Sequence, residues 1–180
     1  MQIQFYDIEG PARIEPRRIR DTRGFFMETF RDDWFRQNVA DVAFVQDNHS
    51  LSAQVGTIRG LHYQSAPYAQ GKIVRCLRGA IFDVAVDIRP QSPTFGKWVS
   101  EILTPENALQ LWIPEGFAHG FCTLKPDTEV CYKTSELYRA SHDCGIAFDD
   151  PDIGIVWPLD VSQATLSAKD REQPPLSSLR

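Results

Sequence analysis

Residues 56–79, GTIRGLHYQSAPYAQGKIVRCLRG, followed directly by AIFDVAVDIRP over residues 80–90, decide how this chain folds. In IFDVAVDI the side chains of Phe82, Val84, Val86 and Ile88 fall on one face and Asp83 and Asp87 on the other, the period-two pattern of a strand. KIVRCLRG reads as the strand before it, and the stretch ending in LHYQ as an earlier one, with turn residues between them. His62 and Lys72 stand out in these β-rich runs. A strand histidine is an ordinary packed group, a metal ligand or a base, and the wider spacing has to choose among the three.

Outward from this segment, KWVSEILT, ALQLWIP, HGFCTL and EVCYKTSELY are further short β-rich runs, punctuated by RPQSPTFG, TPEN, PEG and KPD. The one convincing helix is short, around RDDWFRQN, where Phe30, Trp34 and Phe35 face a core. Many short strands without alternating helices predict an all-β antiparallel sandwich or barrel carrying one or a few short helices. Alternation alone does not separate jelly-roll, lipocalin and immunoglobulin-like topologies. The 180 residues fit one domain, residues 1–180, and no repeat, low-complexity segment or linker divides them.

Composition narrows the function classes. A hydrophobic content of 42% is that of a globular chain rather than a disordered one. The net charge of −5 argues against a nucleic-acid partner, although local arginines in RIEPRRIRDTRG can still meet a small anion. No apolar run approaches a membrane span, and MQIQFYDIEG lacks the basic start and apolar run of a signal peptide. Cys76, Cys122, Cys131 and Cys144 form no CxxC pair, so free and mostly buried thiols in a cytoplasmic protein are expected.

The spacing of the polar residues resembles the two sequence blocks of cupin jelly rolls. The first block is a glycine, five residues, His-x-His, a spacer, Glu, six residues and glycine; the second is Pro-x-Gly-x-x-His. Gly56 precedes His62 by that interval, six residues separate Lys72 from Gly79, and PEGFAH supplies Pro114, Gly116 and His119. The ligand set departs from the pattern: Gln64 replaces the second histidine and Lys72 the glutamate. A cation among the ligands repels a divalent metal, and two histidines leave too few donors. A retained barrel without a metal site is expected, and a metal-dependent cupin oxygenase is disfavoured.

Eight stretches carry a more specific resemblance: RDTRGFFMETF, VQDNHSLS, GTIRGLHYQ, QGKIVRCLRGAIFDVAVDIR, SPTFGKW, LWIPEGFAHGF, YKTSELY and LSAKD. In this order, over nearly the whole chain, they resemble the dTDP-4-dehydrorhamnose 3,5-epimerase family. The resemblance implies a cofactor-free homodimer acting on dTDP-4-dehydro-6-deoxy-α-D-glucose, with N-terminal strands extending the partner's sheet, in rhamnose supply for polysaccharide. C3 and C5 of that sugar flank the C4 ketone, so their protons are acidic through an enolate. A sister enzyme inverting one centre, or moving the keto group between C3 and C4, is the nearest alternative. A sugar-nucleotide binding module that has lost the acid or base is a third.

Such chemistry needs a base on one face, a proton donor on the other and positive charge at the oxygen. By resemblance His62 is the base, since a histidine of ordinary pKa, about 6.5, is largely neutral at working pH. Asp170 of LSAKD would orient it. Lys72 would stabilise the enolate. Tyr132 would be the acid, because a phenol with an ordinary pKa of about 10 holds its proton. Arg23, Arg59 and Lys72 fit the anionic substrate, with Glu28, Gln46, Asn48, His119 and Lys169 as further polar contacts and Tyr138 as a stacking platform. Asp143 stands where the family more often has glutamate, so its shorter side chain either loses that contact or makes it through water. Asp47 reads as a loop or backbone-capping residue. Arg59 and His62 differ by an odd number, which sends them to opposite faces of a regular strand; a bulge at Gly60 would restore a common face.

Overall fold

Alternation of inward and outward side chains, broken at bulges, builds the molecule, which the computed structural model describes over residues 1–179. Its strands are β1 (Gln2–Phe5), β2 (Ala12–Glu15), β3 (Arg18–Asp21), β4 (Gly24–Met27), β5 (Gln46–Ser52), β6 (Ile58–Gln64), β7 (Lys72–Arg78), β8 (Ile81–Asp87), β9 (Trp98–Leu103), β10 (Gln110–Ile113), β11 (Phe117–Thr123), β12 (Thr128–Thr134) and β13 (Asp143–Gly145). Two short helices, α1 (Asp32–Asn38) and α2 (Ala168–Arg171), accompany them. One sheet has the order β1-β2-β10-β7-β12-β5 and the other β13-β6-β11-β8-β9; β3 and β4 form a separate hairpin. Every strand pairing is antiparallel. This is the expected all-β jelly roll of the cupin type.

Three apolar clusters explain the layering. Between the sheets, Val74, Leu111, Ile113 and Val130 meet Ile81, Ala85, Phe117 and Phe121. The outer face of the five-stranded sheet buries Ile58, Leu61, Val84, Val86, Ala118 and Cys122 under Phe148, Ile153, Trp157 and Leu176 of the C-terminal segment. The outer face of the six-stranded sheet is covered by α1 and its flanks, where Phe35 packs edge-on against Trp112 at 5.2 Å and Phe44 at 5.2 Å. Phe30 and Trp34 pack against that cluster while remaining partly exposed, and Phe35 is the fully buried side chain of the helix.

With both faces of β8 covered, Asp83 and Asp87 point into the sandwich rather than to solvent, and both are fully buried. Asp87 is satisfied by Arg89, Ser92 and Thr94, which tie down the turn after the strand. Asp47 is not a loop or capping residue. It lies within β5, and its exposed carboxylate accepts from Lys133 on β12 at 3.0 Å. All four cysteines are free as expected, with Cys76 and Cys122 buried and Cys131 and Cys144 half-buried. No described helix is long and apolar enough to cross a membrane.

Candidate active site

The bulge expected at Gly60 organises the site. On β6 three positions separate Arg59 from His62, whereas their β11 partners, Phe121 and His119, are two apart. The extra residue lets both Arg59 and His62 face the interior while Ile58 and Leu61 join the outer cluster. Gly60 sits at φ +123°, and a Cβ there would lie 2.6 Å from both the Gly120 Cα and the His119 carbonyl oxygen. Only glycine fits this crossing.

Opposite this wall, β7 and β12 turn Lys72 and Tyr132 inward on the same alternation that buries Val74 and Val130. Two adjoining cavities, of about 210 Å³ and about 260 Å³, are both lined by His62, Lys72, Tyr132 and Lys169. His62 and Tyr132 therefore stand on opposite walls of one space. Lys72 is buried beside it, with a long hydrogen bond of 3.4 Å to the His62 carbonyl. Burial lowers its pKa from 10.5 to about 8, against the opposing pull of Asp143 and Asp83. Burial also raises the Tyr132 phenol above its ordinary value, partly countered by the Arg59 guanidinium, so the hydroxyl keeps its proton at neutral pH.

Asp170 and Lys169 arrive from more than a hundred residues away. The C-terminal segment packs over the outer cluster, pinned by the Ala147 N–H on the Pro174 carbonyl at 2.8 Å and the Leu176 N–H on Asp150 at 2.7 Å. It brings α2, capped by Ser167, back to the cavity. Asp170, 4% exposed, accepts from His62 Nε2 at 2.5 Å. Burial pushes the Asp170 pKa up, but the His62 and Ser167 hydrogen bonds bring it below the ordinary carboxylate range. With Nε2 given to the carboxylate, Nδ1 is the imidazole nitrogen left for other chemistry.

Asp143 forms the rim, accepting from Lys169 at 2.5 Å and from the Tyr138 hydroxyl at 3.0 Å. Its pKa is raised by burial yet net lowered by these two partners. Gln46 supports the Tyr138 backbone at 3.0 Å and donates to Asn48 at 2.9 Å, which leaves the exposed ring of Tyr138 at the mouth. Arg59 is steadied by the Ser52 hydroxyl at 3.0 Å and the Leu51 carbonyl at 3.1 Å. His119 lies at the floor, 6% exposed.

Two expected positions are not brought to this cavity. Arg23 sits at the tip of the β3–β4 hairpin, paired with Asp21, and Glu28 follows that hairpin, within 4.0 Å of Arg31. Neither lines the two lobes. Sequence reasoning missed Asp83, whose Oδ1 accepts from His119 Nε2 at 2.8 Å. Its place on the polar face of β8 was visible; that this face is the interior was not. Gln64 is buried and fully used: its amide donates to the Tyr68 and Leu137 carbonyls and accepts from the Arg139 N–H. Where a cupin metal ligand would stand, this chain has a loop staple. Among the described residues no group of three or more His, Cys, Asp or Glu is disposed to hold a metal ion.

An imidazole and a phenol on facing walls of a cavity that a buried ammonium also lines fit proton transfer at carbon beside a carbonyl. A family model described as dTDP-4-dehydrorhamnose 3,5-epimerase matches residues 6–178. The chain belongs to the dTDP-4-dehydrorhamnose 3,5-epimerase family. Like other members of that epimerase family it is an enzyme of the isomerase class. It is 58% identical to the dTDP-4-dehydrorhamnose 3,5-epimerase of Sinorhizobium fredii over 99% of this chain and 91% of that protein. The Bacillus anthracis epimerase crystallised with TDP and pyrophosphate superimposes with a TM-score of 0.92 at 45% identity, covering 97% of this chain and 98% of that one. The Legionella pneumophila epimerase in complex with dTDP-4-keto-L-rhamnose gives 0.93 at 44% identity, with 98% and 93% covered.

Proposed function

We propose that this chain epimerises dTDP-4-dehydro-6-deoxy-α-D-glucose at C3 and C5, giving dTDP-4-dehydro-β-L-rhamnose, without a metal or other cofactor. The observation that carries the reading is the placement of His62 and Tyr132 on facing walls of one cavity. His62, oriented by Asp170, removes the carbon-bound proton; Lys72 holds the negative charge that moves to the C4 oxygen; Tyr132 returns a proton to the opposite face. The imidazolium formed on His62 is stabilised by the Asp170 carboxylate, which stays ionised because its pKa is depressed. Arg59 and Lys169 meet the diphosphate, Tyr138 stacks on the thymine, and Gln46, Asn48, His119 and Asp143 are the remaining polar contacts. Asp143, shorter than the usual glutamate, keeps its rim position by holding Lys169 and Tyr138 together.

The chain acts as one jelly-roll domain, in the cytoplasm, and as a homodimer. The β3–β4 hairpin exposes Ile19, Phe25 and Phe26, a surface suited to a second copy, and carries Arg23 beside it. Across such an interface Arg23 and Glu28 reach the nucleotide end of the partner's cavity. Sedimentation at micromolar concentration should report a dimer, and a monomer would refute this part. For the reaction, proton NMR of the keto sugar in deuterated water, with a chelator present, should show deuterium entering C3 and C5 with inversion. Exchange at neither carbon, or exchange that needs an added divalent metal, overturns the reading.

A further inference from the structure

We propose that Asp83 is a positioning residue that fixes His119 as a neutral hydrogen-bond acceptor, so that His119 reads a hydroxyl of the bound sugar rather than its ketone oxygen. The inference rests on the reading that a keto sugar occupies the cavity, and it concerns a carboxylate to which that reading assigns no role. Asp83 is fully buried on β8; its Oδ1 meets His119 Nε2 at 2.8 Å, while Oδ2 has no protein partner. An ionised carboxylate only accepts, so Nε2 must carry the hydrogen and Nδ1 keeps a lone pair.

Three observations make this arrangement the stable one. First, burial opposes a positive ring at His119, and Lys72 on β7 and His62 on β6 oppose it further, against the pull of Asp83. Second, Lys72 is a buried cation that draws on two carboxylates, Asp143 and Asp83. Asp143 is already paired with Lys169, which leaves Asp83 to balance Lys72 as an anion; burial raises the Asp83 carboxyl, and the His119 hydrogen bond and the Lys72 charge oppose that rise. Third, His119 lines the cavity wall shared with His62, Lys72 and Tyr132 and pairs directly across the sheet with His62. Its Nδ1 has no protein partner and is not among the sealed, unsatisfied atoms of the described residues, so it opens to the cavity. A lone pair there repels an enolate oxygen and welcomes a hydroxyl hydrogen. The two histidine–carboxylate pairs of the site thus do different work: His62–Asp170 moves protons, and His119–Asp83 selects the sugar's orientation.

The test uses the intact protein labelled with nitrogen-15 in histidine. At pH 7 the His119 ring should give the spectrum of a neutral imidazole protonated at Nε2. In Asp83→Asn the amide can donate to Nε2, and the ring should switch to the Nδ1-protonated form. An Nδ1–H or an imidazolium in the unmodified protein, or no change of tautomer in a folded Asp83→Asn, overturns the proposal. Binding supplies a second arm that does not need the variant to fold. Of dTDP-glucose analogues with fluorine replacing the 2- or the 3-hydroxyl, one should bind on the order of tenfold more weakly than dTDP-glucose. Equal binding of all three overturns the proposal. Binding of dTDP alone keeps the underlying reading separate: if dTDP does not bind, the sugar-nucleotide function itself fails.

Discussion

Replacing Lys72 by methionine should stabilise the protein while nearly abolishing its activity. Lys72 is 7% exposed, its ammonium makes one hydrogen bond among the described residues, the long 3.4 Å contact to the His62 carbonyl, and burial depresses its pKa from 10.5 to about 8. At about 1.4 kcal/mol per tenfold step, keeping that proton in the folded state at pH 7 costs ~3 kcal/mol. Methionine fills similar space without the charge. It also leaves Asp83 without its balancing cation, so a net gain of ~1–3 kcal/mol is expected. The pH dependence gives a second signature. Between pH 8 and 10.5 the unfolded chain still holds the lysine proton that the folded chain has lost, so unmodified protein gains stability as pH rises through that window. Lys72→Met should lack that rise. Activity moves the other way: kcat/KM of the unmodified enzyme should fall as pH rises through about 8, where the cation is lost, and the variant should be slower by about 10²–10³. Urea unfolding at pH 7 and 9.5, with a pH–rate profile alongside, measures all of this. A variant less stable than the parent at pH 7, or equal pH slopes for the two proteins, refutes the reasoning.

Tyr132→Phe keeps the ring that packs against the inner core, so its unfolding midpoint should match the parent within error while epimerisation falls by about 10²–10⁴. Asp170→Asn should bind dTDP normally yet lose part of the rate, because the imidazole loses a partner that favours its charged form; this is read as kcat falling with little change in KM. Gly60→Ala places a methyl 2.6 Å from two backbone atoms of β11 at a φ of +123°, and should cost several kcal/mol, on the order of 3, measured by denaturant unfolding.

Much of this site was legible in the primary structure because two periodicities were at work. Alternation placed Lys72 with Val74, and Tyr132 with Val130, on one face, and the odd interval between Arg59 and His62 required a bulge where Gly60 provides one. The Gly56–His62 and Pro114–His119 spacings fixed the jelly roll before any distance was known. What escaped was whatever depends on the second layer. Nothing in IFDVAVDI says that its acidic face is the inner one, since the C-terminal segment covering its apolar face lies sixty residues and more downstream. For the same reason Asp83 went unnoticed as the partner of His119. Gln64 departs visibly from the cupin ligand pattern, but its work on the Leu137 and Arg139 backbone follows only from how two distant loops meet. Arg23 and Glu28 are motif residues that the fold does not bring to the cavity, and a pattern in one sequence does not say where the β3–β4 hairpin carries them.

The central claim is that His62 takes the carbon-bound proton, and His62→Asn in deuterated water tests it most directly. Asparagine stays polar but is shorter than the imidazole and ends near the Nδ1 position, so it does not reach the Asp170 partner of Nε2; that the variant folds is checked by its unfolding midpoint. It should bind dTDP with parental affinity through Arg59, Lys169 and Tyr138, whose hydrogen bonds do not involve the imidazole. By proton NMR, neither C3 nor C5 of the keto sugar should exchange above the buffer rate. Deuterium entering both carbons at the parental rate, in a variant shown to be folded and to bind dTDP, would mean that another residue removes the proton and that this mechanism is wrong.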